Sequence, residues 1–140
     1  MMKMIHSYWA YLVVALLVYT VINTLSNAKK EFKGKDLRLA LFTLIVSHIQ
    51  LLIGLGWYFM SPTFKAFKAN GMGVTMKDSA ARLLAVEHPI MMILAIVFIT
   101  IGFSKHKKKT TDAAKFKTIF IWYGLALILI LSRIPWSQWL

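Results

Sequence analysis

Four histidines, His6, His48, His88 and His106, stand in or beside long apolar runs. Imidazole changes charge near neutral pH and, when neutral, is a common metal ligand. An ionisable group inside a membrane helix is costly, so it pairs with another group, faces the protein interior or serves a site. His6 lies at the start of the first run, in His6-Ser7-Tyr8-Trp9, and His48 lies near the middle of the second. His88 follows Glu87 at the head of the third run, while His106 sits among lysines and reads as a surface residue. With no cysteine in the chain, thiol chemistry and thiolate metal sites are excluded.

His48 has the most informative neighbours. Thr43, Ser47, Gln50, Gly54, Trp57 and Ser61 recur every three or four positions, which gives one helix a small, polar face. Such a face turns toward protein rather than lipid. His48 is expected to go with it, as a ligand or proton carrier, or else as a hydrogen-bonding residue that sets helix packing. Glu87 and His88 are adjacent and point about 100° apart on a helix. Glu87 could accept from a nearby imidazole and fix its tautomer, or the two are an acid–base pair at a helix start. Met91 and Met92 read as packing residues.

Two neutral imidazoles on different helices make a low-spin, electron-transferring haem centre, and helix bundles hold cofactors between facing helices. The candidate ligands are His48, His88 and His6, with Arg82, Lys77 and Arg133 placed to meet the propionates. Depth bears on the choice. Counted along the helices, His48 lies roughly 18 Å and His88 roughly 8 Å from the same boundary. Their pairing therefore needs a shift of one helix, and for His6 with His88 the mismatch runs the other way. Two other classes stay open. In one, a haem-free structural or accessory subunit uses its histidines to pin packing. In the other, a small metal-binding or transport protein offers His6, Glu87 and His88, with His48 a further candidate ligand. Ser47 and His48 diverge as helix neighbours, so they form no nucleophile–base pair. Gly71-Met72-Gly73 is too short for a phosphate-binding loop.

These residues must be positioned by membrane helices. The 140 residues are 59% hydrophobic and 16% charged, where a soluble domain has roughly a quarter charged. The apolar residues fall in runs long enough to cross a bilayer. An all-α, integral-membrane, up-and-down four-helix bundle follows, a single domain over 1–140 with helices at about 5–25, 37–60, 79–103 and 116–134. No cleavage site follows the first run, which is expected to be retained. Asp78 caps the third helix, and Pro89 predicts a bend or an adjusted turn within it. The fourth run needs Phe116 and Ile134 to span. Segment 61–82, with Asn70-Gly71-Met72-Gly73, reads as the longest connection. Trp136 and Trp139 suit a headgroup interface.

The net charge is +12. Segments 26–36 and 104–117 hold ten Lys and Arg, with Arg38 just beyond, against six in the termini and segment 61–82. The positive-inside rule then places both termini on the non-cytoplasmic side of an inner membrane. Lysines between apolar runs meet anionic lipid, and nucleic acid is not an expected partner.

His6-Ser7-Tyr8-Trp9, His48-Ile49-Gln50-Leu51-Leu52-Ile53-Gly54 and Glu87-His88-Pro89-Ile90-Met91-Met92 resemble a family of small Bacteroidetes membrane proteins commonly labelled cytochrome b. Ile101-Gly102-Phe103-Ser104-Lys105 and Arg133-Ile134-Pro135-Trp136 share the resemblance, which covers essentially the whole chain. It implies haem b bound by histidines among His6, His48 and His88. It also implies electron transfer within or beside a respiratory or quinone-linked system, with quinone or a larger membrane redox complex as partner.

Overall fold

A computed structural model describes residues 2–134. Trp136 and Trp139 lie outside the described residues. The chain is all-α, with α1 Met2–Ser26, α2 Gly34–Met60, α3 Pro62–Lys77, α4 Ser79–Arg82, a π-helical turn Leu83–Glu87, α5 His88–Lys107 and α6 Asp112–Arg133. The α4 helix, the π turn and α5 run on as one span, Ser79–Lys107, so among the described residues four helices are long and apolar enough to cross a membrane. Their contacts run α1 to α2, α2 to α5, α5 to α6 and α6 back to α1, a closed up-and-down bundle. Its core includes Val13, Leu17, Val46, Ile99, Phe103, Ile119 and Tyr123.

Local chemistry sets the helix ends. The carboxylate of Asp36, which is buried, accepts from the Lys33 N–H at 2.9 Å and from Asn23 Nδ2 at 2.8 Å, tying the end of α1 to the start of α2. Asp78 caps α4, as its place in the sequence predicts, accepting from the amides of Ala80 and Ala81. Thr111 caps α6 through Oγ1, so the fourth span begins at Asp112 rather than near 116. Segment 61–82 is not a plain connection. Ser61 caps α3 with Pro62 in its first turn, and the helix breaks at Gly71, whose φ of 82° favours glycine.

Polar contacts join the helices, both side by side and across the bundle, as packing in lipid favours. Thr20 and Thr43 hydroxyls meet at 3.1 Å between α1 and α2. Trp9 Nε1 donates to the Val46 carbonyl at 2.8 Å, and Tyr123 Oη to the Ala40 carbonyl at 2.9 Å. At the α5–α6 seam a Cβ on Gly102 would sit 2.4 Å from Trp122 Cβ. Gly102→Ala is expected to destabilise the bundle by about 1–3 kcal/mol through overpacking. Gly124→Ala, with nothing within 4 Å of the added carbon, is expected to be neutral or slightly stabilising. Thermal unfolding in detergent checks both.

Candidate functional site

The site lies at the end of the bundle where α1 begins and α6 finishes, called the terminal end below. His6 sits in the second turn of α1, and Gln50 of α2 donates Nε2 to its carbonyl at 2.9 Å. Its ring packs against Trp57, centroid to centroid 5.1 Å, and against Gly54, where a Cβ would approach the imidazole Cε1 to 3.1 Å. Gly54 thus clears the space that the ring fills.

His88 reaches the same place from the third span, through a local device. Pro89 has no N–H to offer the Ala85 carbonyl, four residues back. Tyr58 Oη of α2 donates to that carbonyl instead, at 2.6 Å. The turn just before widens, with the His88 amide bonded five residues back to the Leu83 carbonyl. His88 Nδ1 then meets the Arg133 carbonyl of α6 at 2.8 Å. A carbonyl only accepts, so Nδ1 carries the proton and Nε2 is left with a lone pair.

The two rings face each other edge to face, with centroids 6.3 Å apart and planes at 83°. They share the wall of a cavity of about 170 Å³, or about 1300 Å³ of unfilled space once its open side is counted. His6 Nδ1 is buried there with no hydrogen-bond partner among the described residues. The donors suit a haem iron. They are two neutral imidazoles on different helices, one oriented by a carbonyl as ligating histidines usually are.

Glu87, Arg82 and Arg133 gather beside His88. Of the two roles its place in the sequence left open to Glu87, acceptor from an imidazole or acid–base pair at a helix start, the first is not seen among the described residues; Glu87 takes Arg82 Nε at 2.9 Å and stands 3.8 Å from Arg133 Nε. The tautomer-fixing acceptor is the Arg133 carbonyl. Both arginines expected at the propionates are engaged with Glu87 and with backbone carbonyls, those of Met76 and Ser132. Two guanidiniums against one carboxylate leave that cluster a net positive charge. Among the described residues no group of three or more His, Cys, Asp and Glu side chains converges on a metal-sized point.

Two histidines are placed differently from expectation. The polar face of α2 does turn inward, with Thr43, Ser47 and Ser61 buried, but His48 points away from it and is exposed. It follows Ser47 directly, and one residue of helix turns the side chain by about 100°. His48 Nδ1 bonds the Leu44 carbonyl at 2.8 Å, and Nε2 lies 3.4 Å from Thr100 Oγ1. Thr100 is twelve residues along the span from His88, roughly 18 Å, so His48 and His88 are not brought together. His106, expected on the surface, is 1% exposed. The reason is that α5 continues to Lys107, which sets His106 on an inward face between Phe32 and Phe103. The role of Tyr58 at Ala85 escaped sequence reading; the spacing from Pro89 back to Ala85 marks the carbonyl in need, but not its donor.

No protein-family model matches the chain, and neither a curated protein nor a solved structure matches it.

Tyr58→Phe is expected to leave the Ala85 carbonyl unpaired and to destabilise the protein by about 1–3 kcal/mol. Thermal unfolding of the purified variant measures it. An unchanged midpoint would remove Tyr58 from its assigned role.

Proposed function

We propose that this protein is a single-haem, b-type membrane cytochrome whose haem b is held by His6 of α1 and His88 of α5. The observation that carries this reading is the facing pair of imidazoles. They come from two helices, with centroids 6.3 Å apart, His88 oriented by the Arg133 carbonyl and His6 Nδ1 without a partner. Haem b bound there supplies one-electron chemistry at a potential tuned by its ligands and surroundings.

The chain's own residues have distinct tasks. His88 binds through Nε2, its other nitrogen held by α6. Tyr58 keeps the widened turn in place and so holds the His88 backbone. Gly54 keeps the neighbouring helix clear of the His6 ring, and Trp57 supports that ring. The excess positive charge of Arg82 and Arg133 over Glu87 favours anionic groups at the terminal end. Apolar side chains around the pair, Met92 and Leu84 among them, limit water. In this reading the protein resides in an inner membrane, with its lysine-rich end toward the cytoplasm. It passes electrons to or from quinone or a larger membrane redox complex.

The test is the visible spectrum of protein purified in mild detergent from a haem-competent host, oxidised and then reduced with dithionite. A sharp reduced alpha band at one haem per chain is expected. His6→Ala and His88→Ala are each expected to abolish it, while His48→Ala retains it in full. A flat spectrum from folded, haem-supplemented protein would overturn the proposal. Loss of the band in His48→Ala alone would overturn the ligand assignment.

A further inference from the structure

Among the described residues, four buried side-chain polar atoms have no hydrogen-bond partner, and three belong to residues that line the cavity: His6 Nδ1, Ser47 Oγ and Gln50 Oε1. Elsewhere, apart from Arg133 Nε, the buried polar side chains find partners among the described residues. Thr20 and Thr43 bond each other, Thr75 and Thr118 bond carbonyls of their own helices, and Asp36 accepts from two donors. Buried polar groups in proteins are nearly always satisfied, so a cluster of exceptions on one cavity calls for an occupant.

The chemistry of the occupant can be read from these atoms. The His6 carbonyl can only accept, so the Gln50 amide nitrogen must face it, at 2.9 Å. Gln50 Oε1 is therefore a pure acceptor and requires a donor. Ser47 is fully buried, one turn further along the same face of α2, with a hydroxyl that can both donate and accept. The surrounding wall is largely apolar, including Val13, Leu51 and Ile96. An apolar cavity with a few convergent polar atoms suits a small apolar molecule with a polar head. Its volume of about 170 Å³ compares with about 150 Å³ for an engineered cavity that binds benzene.

We infer that the Ser47–Gln50 part of the cavity binds the hydroxyl head of a small aromatic molecule of the alkylphenol or hydroquinone class. The hydroxyl hydrogen goes to Gln50 Oε1, and the hydroxyl oxygen accepts from Ser47. An oxidised quinone or a bare hydrocarbon brings no donor for Gln50 and binds more weakly. Occupancy requires no haem; a role for the occupant as electron donor rests on the cytochrome reading.

The experiment is calorimetric titration of the detergent-purified full chain with para-pentylphenol and, separately, with pentylbenzene, which lacks only the hydroxyl. Saturable binding about tenfold tighter for the phenol is expected. Ser47→Ala removes a hydroxyl that bonds nothing, so its melting temperature should be unchanged or raised. Its affinity for the phenol should fall toward that for pentylbenzene. Gln50→Leu should act likewise on the phenol and leave pentylbenzene unaffected. Equal affinities for the two probes, an unaltered phenol affinity in Ser47→Ala, or no saturable binding, as in a cavity that holds only water, would each overturn the inference. A flat haem spectrum bears on the cytochrome reading alone. Absent phenol selectivity beside an intact haem spectrum bears on this site alone.

Discussion

A helix that crosses lipid must satisfy each backbone carbonyl within the protein, because hydrocarbon offers no donor. Pro89 breaks that condition at Ala85, inside the third span. The helix does not end there. It widens over Leu83–Glu87 and takes a donor, the Tyr58 hydroxyl, from the neighbouring helix. A π turn holds one more residue than an α turn and often lies at a functional site. The extra residue changes which faces of α5 turn inward relative to an unbroken helix. The His88 imidazole is delivered by this device to the α6 carbonyl on one side and to His6 on the other. One missing N–H thus couples α2, α5 and α6 at the terminal end.

The rest of the bundle follows the same economy of donors and acceptors. Apolar side chains alone give helices little reason to associate in lipid, so close approach and hydrogen bonds carry more of the specificity. Gly102 lets α5 and α6 close on each other around Trp122. Tyr123 reaches across to the Ala40 carbonyl, and Trp9 to Val46. Asn23 and Asp36 lock the α1–α2 turn. Each of these is a contact between spans, and together they fix the register in which His6 lies beside Gly54 and Gln50.

The four spans were legible because hydropathy and length decide them with little help from tertiary context. The inward polar face of α2 was legible from its spacing, and the adjusted turn near Pro89 from proline chemistry. Four things were not. His48 was assigned to the polar face because it adjoins Ser47, but adjacency in sequence is divergence on a helix. His106 was read as exposed because lysines surround it, yet a helix four residues longer than expected turns it inward under Phe32. Segment 61–82 was read as a connection because Gly71 marks a break; the cap at Ser61 and the helix on either side of that break carry no long apolar signal. The pairing of His6 with His88 depended on how the helices stack, which span lengths do not determine.

The histidines outside the site show what is particular about the pair within it. His106 is buried, but its Nδ1 is bonded to the carbonyl of Phe103 in its own helix and its ring lies between aromatic neighbours. That is an imidazole used for packing. His48 likewise bonds a carbonyl of its own helix, Leu44, and rests beside Thr100 on the outer face. That is an imidazole with its nearest polar needs met locally. His88 instead spends its proton on a different helix, at Arg133, which fixes the ring's direction and leaves Nε2 available. His6 has a buried nitrogen with no hydrogen-bond partner among the described residues. A packing role needs neither feature, and an unpaired buried polar atom is a cost that packing would not select. Both features set this pair apart from His48 and His106, and the proposed haem is placed at the terminal end on that ground.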